Sequence, residues 1–266
     1  MLAFIPTPIG NLQDISTRSL EILTDADIIF CEDTRVSKKL LSLLNIPYNE
    51  KKFISLHSHN EKDIIANLDI SIFDKNIVYM SDAGMPSISD PGCLLVRFAQ
   101  ENDISYEVLP GANAALLAYV ASGFCGSEFL FFGFLPHKGK ERKAKLQDAI
   151  HSNFITIIYE SPHRIQKLID ELADHIPDRE IFIIKEATKL YEFKKRASSK
   201  EIKEAFDSID KRGEWVVVID REKKERGVIT KEDILSLNIP KKEMAKLLAK
   251  LDGRSVKECY NELIKE

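Results

Sequence analysis

Five polar stretches follow the strand-like runs in the first half of the chain, and they hold most of its candidate chemistry. They are PTPIGNLQDIS (6–16), EDTR (32–35), HSHN (57–60), SDAGMPSISDPG (81–92) and PGANAA (110–115). Each stretch alone is typical of a turn. If the strands are parallel, however, their carboxyl ends meet at one edge of the sheet, which is where ligands bind. Five such loops at one edge favour a shared binding cleft.

The residue types in these loops indicate a nucleoside ligand without a phosphate tail. The phosphate-binding patterns G-x-G-x-x-G and G-x-x-x-x-G-K-[ST] do not occur in the sequence. Gly10 permits the close approach of a ligand, but its proline-rich loop offers few N–H donors. Asp82 ends a strand, and its carboxylate suits ribose hydroxyls. An apolar slot for adenine is predicted from Met85, Ala112, Ala114 and Ala115, and the backbone from Gly111 to Ala114 offers N–H donors if a helix begins there.

The alternation of strand-like and helix-like runs predicts an α/β fold class. Residues 3–123 contain five strand–helix units with continuously apolar strands, which are typical of a parallel sheet covered on both faces. A second series occupies residues 129–220. Its run YEFKKRA (191–197) alternates in polarity and suits an edge strand, so we expect a mixed sheet there. The predicted divisions are an N-terminal α/β domain over 1–117, a C-terminal α/β domain over 118–222, and a small helical tail over 223–266.

The composition excludes several classes of protein. The 266 residues are 44% hydrophobic and 30% charged, which is usual for a globular protein. No apolar run approaches the roughly 20 residues of a membrane span, and the N-terminus lacks the features of a signal peptide. The four cysteines, Cys31, Cys93, Cys125 and Cys259, match no zinc pattern. We therefore expect reduced thiols in a cytoplasmic protein that does not associate with membranes.

Charge is distributed unevenly along the chain. Residues 1–120 carry a net charge of −7, and residues 121–266 carry +3. The basic residues of the second half cluster in KGKERKAK (138–145), KKR (194–196), REKKER (221–226) and KK (241–242). Each cluster alone is typical of a solvated surface, but together they permit a polyanionic partner on the C-terminal half.

Seven motifs in order resemble the tetrapyrrole methylase superfamily, the class III S-adenosylmethionine methyltransferases. They are FIPTPIGNLQDIS, CEDTR, SDAGMPSISDPG, LPGANAA, FFGFLP, YESPHRI and KEATK. The resemblance covers residues from about 3 to 220, and it is specific to the ribosomal RNA branch of the superfamily. Tetrapyrrole branches carry a G-D-P-like fourth loop, whereas this chain has Ser81, Asp82 and Ala83 there.

The resemblance implies a homodimer whose two α/β domains hold S-adenosyl-L-methionine in the cleft between them. The cofactor contacts of the family fall on Ile9, Asp82, Met85, Asn113 and Ala114, and near Tyr159 and Ala187 in the second domain. With the residues inferred from loop chemistry, the predicted cofactor site is Ile9, Gly10, Asp82, Met85, Gly111, Ala112, Asn113, Ala114, Tyr159 and Ala187. Methyl transfer needs no metal, and His57 with His59 is too small a set to predict one.

The implied activity is 2′-O-methylation of a cytidine ribose in the decoding region of 16S rRNA, with the small ribosomal subunit as partner. Two alternatives stay open: a tetrapyrrole methyltransferase of the precorrin or uroporphyrinogen type, and a non-catalytic nucleoside-binding module. The basic clusters favour the RNA enzyme. The residues expected to contact RNA are Lys138, Lys140, Arg142, Lys185, Lys189, Lys241 and Lys242.

A ribose hydroxyl is a poor nucleophile until its proton leaves, so a general base is expected within hydrogen-bond reach. The candidate catalytic residues are Glu32, Asp33, Arg35, Asp90 and Glu160. Asp33 and Asp90 each precede a predicted helix start, where a carboxylate also serves as an N-cap.

The other charged candidates also have structural alternatives. Glu160 can pair with Arg164 or Arg35. Arg35 suits phosphate, but it can instead pair with Asp33 or Asp90. Lys185 and Lys189 flank Glu186 and can hold that carboxylate instead of RNA.

Overall fold

The computed structural model describes residues 1–221 and 229–265 of the chain. Its first sheet is parallel, as predicted. The strands are β1 (Leu2–Ile5), β2 (Ile28–Cys31), β3 (Lys52–Ser55), β4 (Ile77–Met80) and β5 (Tyr106–Val108), in the order β3-β2-β4-β1-β5. All neighbouring pairs run in the same direction. The polar stretches that follow these strands therefore meet at one edge of the sheet.

Helices cover both faces of the first sheet. They are α1 (Thr17–Asp25), α2 (Thr34–Leu43), α3 (Glu61–Ala66) and α4 (Cys93–Glu101), and a fifth helix, α5 (Ala114–Ser122), follows β5. Successive residues of a strand point to opposite faces. Accordingly, Ala3 and Ile5 belong to one buried apolar cluster, and Leu2 and Phe4 belong to another. Burial on both sides explains why these strands are continuously apolar.

The second sheet is mixed, also as predicted. Its strands are β6 (Phe129–Phe134), β7 (Ile155–Glu160), β8 (Glu180–Lys185), β9 (Phe193–Ser198) and β10 (Trp215–Ile219), in the order β6-β7-β10-β8-β9. Only β6 and β7 are parallel; the other pairs are antiparallel. The helices α6 (Gly139–Ile150), α7 (Ile165–His175) and α8 (Ser199–Phe206) contribute to the core on one face.

Helix α5 links the two sheets. Its small residues Ala115 and Ala118 share a buried cluster with Ile157 and Val218 of the second sheet. The predicted boundary between residues 117 and 118 lies inside this helix. The first α/β series therefore ends on a helix that covers the second sheet. The three-part division of the chain stays a prediction.

The tail forms a separate compact unit with its own small core. Its helices are α9 (Lys231–Leu235), α10 (Lys241–Asp252) and α11 (Val256–Lys265). Thr230 and Asp233 form a capping box at the start of α9. Gly253 ends α10 with φ +68°, in the left-handed region that glycine tolerates. Of the basic cluster REKKER, only Arg221 lies within the described residues.

The described helices lie within residues 1–221 and 229–265. Each of them is too short or too polar to cross a bilayer.

Candidate active site

A cavity of about 420 Å³ lies where loops of the two sheets face each other. Its size is in the range that holds a small-molecule ligand. From the first α/β series it is lined by Ile9, Asp82, Ala83, Gly84, Met85, Ile88, Ser89, Asp90, Asn113 and Ala114. From the second series it is lined by Phe134, Tyr159, Glu160, Ser161, Pro162, Glu214, Trp215 and Val216.

The first and fourth loops are joined by a short backbone bridge. Thr7 and Gly84 exchange two N–H···O bonds of 3.0 Å each. The hydroxyl of Thr7 donates to the carbonyl of Ser81 at 3.2 Å, and the hydroxyl of Ser81 donates to the carbonyl of Gly84 at 3.0 Å. Gly84 has φ +86°, which a side chain would strain. The bridge fixes the start of the SDAGMPSISDPG loop beside Ile9.

Gly10 is a packing position between the two α/β series. A Cβ on Gly10 would lie 2.5 Å from the Thr188 hydroxyl oxygen and 2.9 Å from the Ala187 carbonyl oxygen. The adjacent Asn11 N–H donates to that hydroxyl at 3.1 Å. Gly10 thus lets the first loop approach the turn after β8, and it does not line the cavity.

Six of the ten predicted cofactor residues line the cavity: Ile9, Asp82, Met85, Asn113, Ala114 and Tyr159. The other four do not. Besides Gly10, Gly111 is a close-packing position, because a Cβ there would lie 2.5 Å from Pro6. Ala112 and Ala187 lie beside the cavity wall without forming it. The roles of all ten toward a cofactor stay predictions.

The N-terminus of α5 is held at the cavity by two side chains. Asn113 caps the helix, and its side-chain oxygen accepts from the N–H of Leu116 at 3.0 Å. The hydroxyl oxygen of Tyr159 accepts from the N–H of Ala115 at 3.0 Å. Burial raises the pKa of Tyr159 to about 12, so this hydroxyl stays protonated at neutral pH. The N–H groups of Ala115 and Leu116 are therefore already engaged by side chains of the chain and are not free to bind a ligand.

The predicted capping role of Asp90 is wrong. Helix α4 begins at Cys93, and Gly92, with φ +120°, precedes it without a side-chain cap. The N–H groups of Gly92 and Leu94 instead donate to one carboxylate oxygen of Glu61, at 2.8 and 3.1 Å. Glu61 belongs to α3 and is buried. Asp90 is left in the cavity wall.

Three carboxylates collect at the first-sheet side of the cavity. Burial, followed by the charges of Asp82 and Glu214, raises the pKa of Asp90 to about 6. Burial, followed by the charges of Asp90, Asp82 and Asp33, raises the pKa of Glu32 to about 7. Burial also raises the pKa of Asp82, although its carboxylate accepts from the N–H of Asp33 at 3.1 Å. Desolvation and mutual repulsion therefore raise the proton affinity of all three groups.

Asp33 and Arg35 are engaged with each other. Asp33 caps α2 and accepts from the N–H of Arg35 at 2.8 Å. The Arg35 guanidinium binds the same carboxylate at 2.6 Å. These hydrogen bonds lower the pKa of Asp33 to about 2. The structural alternative, capping and internal pairing, is the arrangement observed.

Glu160 is held in a buried ion-pair network. The Arg164 guanidinium lies 2.7 Å from its carboxylate, and the N–H of Ser161 donates to it at 2.9 Å. Arg142 reaches the same carboxylate at 3.5 Å and binds Glu171 at 2.7 Å. The expected pairing of Glu160 with Arg164 is thus confirmed.

Two of the cations expected to contact RNA are not available to it. Arg142 is only 2% exposed, and it lies inside the network around Glu160. Lys185 is 6% exposed, and its ammonium donates to the carbonyl of Asp210 at 2.9 Å. Lys189 is partly exposed and binds Glu186 at 2.8 Å and Glu214 at 3.0 Å. These assignments of Arg142 and Lys185 are wrong.

The cavity also includes residues that the sequence did not single out. Glu214, Trp215 and Val216 lie at the start of β10. The expectation that ligands meet the carboxyl ends of strands fails there, because β10 is antiparallel to its neighbours and presents its amino end to this edge. Phe134 belongs to the motif FFGFLP, and its position in that motif predicted no role for its side chain. Its side chain is 54% exposed and lies against Tyr159 with ring centroids 5.7 Å apart.

Comparison with protein families and curated proteins supports one assignment. The family described as Tetrapyrrole (Corrin/Porphyrin) Methylases matches residues 1–203. Ribosomal RNA small subunit methyltransferase I of Campylobacter fetus subsp. fetus (strain 82-40) is 51% identical over 270 residues, covering 99% of this chain and 100% of that protein. The protein of the same name from Helicobacter pylori (strain ATCC 700392 / 26695) is 41% identical, covering 98% and 96%.

Solved structures share the fold. The cobalt precorrin-4 methyltransferase structure has a TM-score of 0.60 at 17% identity, covering 82% of this chain and 94% of that one. Uroporphyrin-III C-methyltransferase from Thermus thermophilus, complexed with S-adenosylhomocysteine, has a TM-score of 0.55 at 15% identity, covering 82% and 96%. At these identities the likeness concerns the fold alone. With the family match over 1–203 and the full-length relatives, it follows that the chain belongs to the tetrapyrrole methylase family and is a methyltransferase.

Proposed function

We propose that this methyltransferase transfers the methyl group of S-adenosyl-L-methionine to the 2′-oxygen of a cytidine ribose in 16S rRNA of the small ribosomal subunit. The observation that carries the proposal is the 51% identity to a ribosomal RNA small subunit methyltransferase I along 99% of this chain, tail included. A match of that length extends beyond the part shared with the tetrapyrrole enzymes, which cover 82%. The cytidine, its 2′-oxygen and the decoding region come from the motif resemblance.

The chemistry of the cavity wall fits S-adenosylmethionine. The lining residues include four carboxylates, those of Asp82, Asp90, Glu160 and Glu214, and no Lys, Arg or His. An acidic wall suits a donor that carries a sulfonium and an ammonium charge. Met85 and Tyr159 supply apolar surface for an adenine. When bound, the donor supplies an activated methyl group, and the residues of the chain orient it toward the acceptor oxygen.

The turn after β6 and the start of α6 provide a surface for RNA phosphate. Lys138 and Lys140 are exposed and make no ion pair within residues 1–221 and 229–265. Both lie at the N-terminus of α6, where a cation opposes the helix dipole. An anion bound there would remove that unfavourable interaction. The turn follows Phe134, which lines the cavity, so the chain runs directly from the cavity wall to this basic surface.

We include a homodimer and a cytoplasmic location in the proposal. Support for a dimer comes from exposed apolar side chains on α5 and the neighbouring strand and loop, namely Leu116, Val120, Leu130 and Phe154. Support for a reducing compartment comes from the four cysteines, which are all free thiols. Sedimentation velocity of the purified chain tests the dimer, since a single 30 kDa species would contradict it.

Mapping of 2′-O-methyl groups tests the reaction directly. Purified small subunits and naked 16S rRNA from cells lacking this protein would be incubated with the chain and the donor, then mapped by primer extension at limiting nucleotide. We expect one new stop at a cytidine in the decoding region. In the control reaction a uroporphyrinogen replaces the RNA, and we expect that it is not methylated. Methylated tetrapyrrole with unmodified RNA would contradict the proposal and favour the tetrapyrrole enzyme.

The role of the tail is tested by deleting residues 223–266. The tail forms its own compact unit, so its loss should leave the cavity and the donor affinity unchanged. Exposed Lys241 and Lys242 at the start of α10 lead us to expect weaker RNA binding and slower methylation of subunits. Donor affinity by calorimetry and methylation rate would be measured in parallel. Full activity of the truncated chain on small subunits would exclude a role of the tail in substrate binding.

A further inference from the structure

We propose that the carboxylate of Asp90 accepts the proton of the substrate hydroxyl during methyl transfer. The inference rests on the proposed function, because it requires a hydroxyl as methyl acceptor. In the transfer, the hydroxyl oxygen forms a bond to the methyl carbon, while the bond from that carbon to sulfur breaks and sulfur keeps the electron pair. The oxygen loses its proton, which moves to a carboxylate oxygen of Asp90 and later to water. No oxidant, reductant or metal enters this balance.

Two of the acidic candidates are already engaged by cations. Asp33 binds the N–H and the guanidinium of Arg35 and caps α2, so its lone pairs are used and its basicity is low. Glu160 accepts from the guanidinium of Arg164 and the N–H of Ser161. The carboxylates of Asp33 and Glu160 are therefore occupied by cations and N–H groups of the chain itself.

Asp90 has the opposite surroundings. It lines the cavity, and its side chain has no hydrogen bond or ion pair within residues 1–221 and 229–265. The capping role that its position before α4 suggests is carried out by Glu61, from another helix. The chain next to it is fixed, because the buried hydroxyl of Tyr79 donates to the carbonyl of Pro91 at 2.6 Å. Asp90 is therefore a partly buried, unpaired carboxylate at a fixed position in the cavity wall.

The titratable groups that face Asp90 come from both sheets. They are Glu32 after β2, Tyr79 in β4, Asp82 after β4, Tyr159 in β7 and Glu214 before β10. None of them is a cation. Burial, followed by the charges of Asp82 and Glu214, raises the pKa of Asp90 to about 6, and a general base is most effective when its pKa lies near the working pH.

Glu32 is the nearest competitor for this role. It also lacks a side-chain hydrogen bond within the described ranges, but it does not line the cavity. The charge of Asp90 helps to raise the pKa of Glu32. Because only a group that lines the cavity can contact a bound substrate, Asp90 fits the role of proton acceptor better than Glu32.

Single-turnover methylation of small subunits at saturating donor, from pH 5 to 9, tests the assignment. For the Asp90→Asn variant we expect a rate about 10²- to 10⁴-fold below that of the unmodified chain at pH 7, and loss of the rise in rate with a midpoint near pH 6. The donor affinity, measured by calorimetry, should change less than about threefold. Asp178→Asn is the matched control, because Asp178 is exposed before β8, at the end of that strand remote from the cavity. We expect it to match the unmodified chain.

A second readout does not depend on turnover. Carbon-13 labelling of aspartate carboxyl groups allows their titration by NMR, and the Asp90 resonance is the one lost in Asp90→Asn. A midpoint near 6 supports the proposal, and one below about 4.5 contradicts it. A rate within threefold of the unmodified chain, or a loss that saturating donor restores, also contradicts it. Failure of the unmodified chain to methylate subunits would instead contradict the proposed function, and the titration would still report on Asp90.

Discussion

Acidic side chains reach the cavity from both sheets, but the two walls hold them differently. On the second-sheet wall, Glu160 is bound by Arg164 at 2.7 Å, and Glu214 by Lys189 at 3.0 Å. On the first-sheet wall, Asp82 accepts one backbone N–H, and Asp90 has no partner within residues 1–221 and 229–265. One wall is neutralised by cations, and the other keeps unpaired carboxylates.

The difference indicates a structural role for the paired carboxylates and a functional role for the unpaired ones. A carboxylate with cationic partners is fixed in position by them, whereas a buried carboxylate without such partners costs folding free energy. Proteins retain such a cost where the group has a function. The comparison therefore predicts opposite responses to mutation: removing a charge should destabilise the second-sheet wall and stabilise the first-sheet wall.

The largest expected effect is on the second-sheet wall. Arg142→Ala would leave Glu171 without its buried cation and Glu160 with Arg164 alone, and breaking such a buried pair costs about 3–5 kcal/mol. We expect a loss of that size in the free energy of unfolding, measured by urea denaturation. Lys143→Ala is the control, because Lys143 is the neighbour of Arg142 in α6 and is exposed. Its free energy of unfolding should change by no more than about 0.5 kcal/mol. A loss below about 1 kcal/mol for Arg142→Ala would mean that pairing does not support this wall.

An intermediate effect is expected at Asp82. If its carboxylate binds the ribose hydroxyls of the donor, Asp82→Ala removes hydrogen bonds to a charged group worth about 1.5–3 kcal/mol. The dissociation constant for S-adenosylmethionine, measured by calorimetry, should then rise by roughly 10- to 100-fold. Asp178→Ala serves as the control and should leave the affinity unchanged. An unaltered affinity for Asp82→Ala would remove this residue from the donor site.

Much of the fold could be predicted because its signals are local. Each strand of the first sheet is a short apolar run between polar loops, and burial on both faces follows from that continuity. The edge strand β9 alternates in exposure, as the polar alternation of YEFKKRA indicates. Parallel strands then bring the loops together at one edge, and this step placed Asp82, Met85 and Asn113 at the cavity.

The errors arose where a distant residue decides a local feature. The cap of α4 comes from Glu61, about thirty residues before the helix, so a reading of the adjacent sequence assigns it to Asp90 instead. Arg142 stands in a run of basic residues that suggests a solvated face. Its spacing from the buried Leu146 and Ala149 is a helical signal that could have placed it inside. Glu214 was missed because the direction of β10 depends on strand pairing, which composition does not reveal.

The smallest expected effect tests the first-sheet wall by its dependence on pH. The pKa of Asp90 is about 6 in the folded chain, compared with 3.8 in the unfolded chain. Between pH 3.8 and pH 6 the folded state therefore binds more protons than the unfolded state. The contribution of Asp90 to stability is therefore most favourable at low pH and is lost as pH rises through 6. Asp90→Asn removes this loss, so its melting temperature should exceed that of the unmodified chain by about 2–4 °C at pH 8, and by less at pH 5. Scanning calorimetry at both pH values measures the difference. A variant that is less stable at pH 8 would show that Asp90 has a stabilising partner, and the contrast between the two walls would fail.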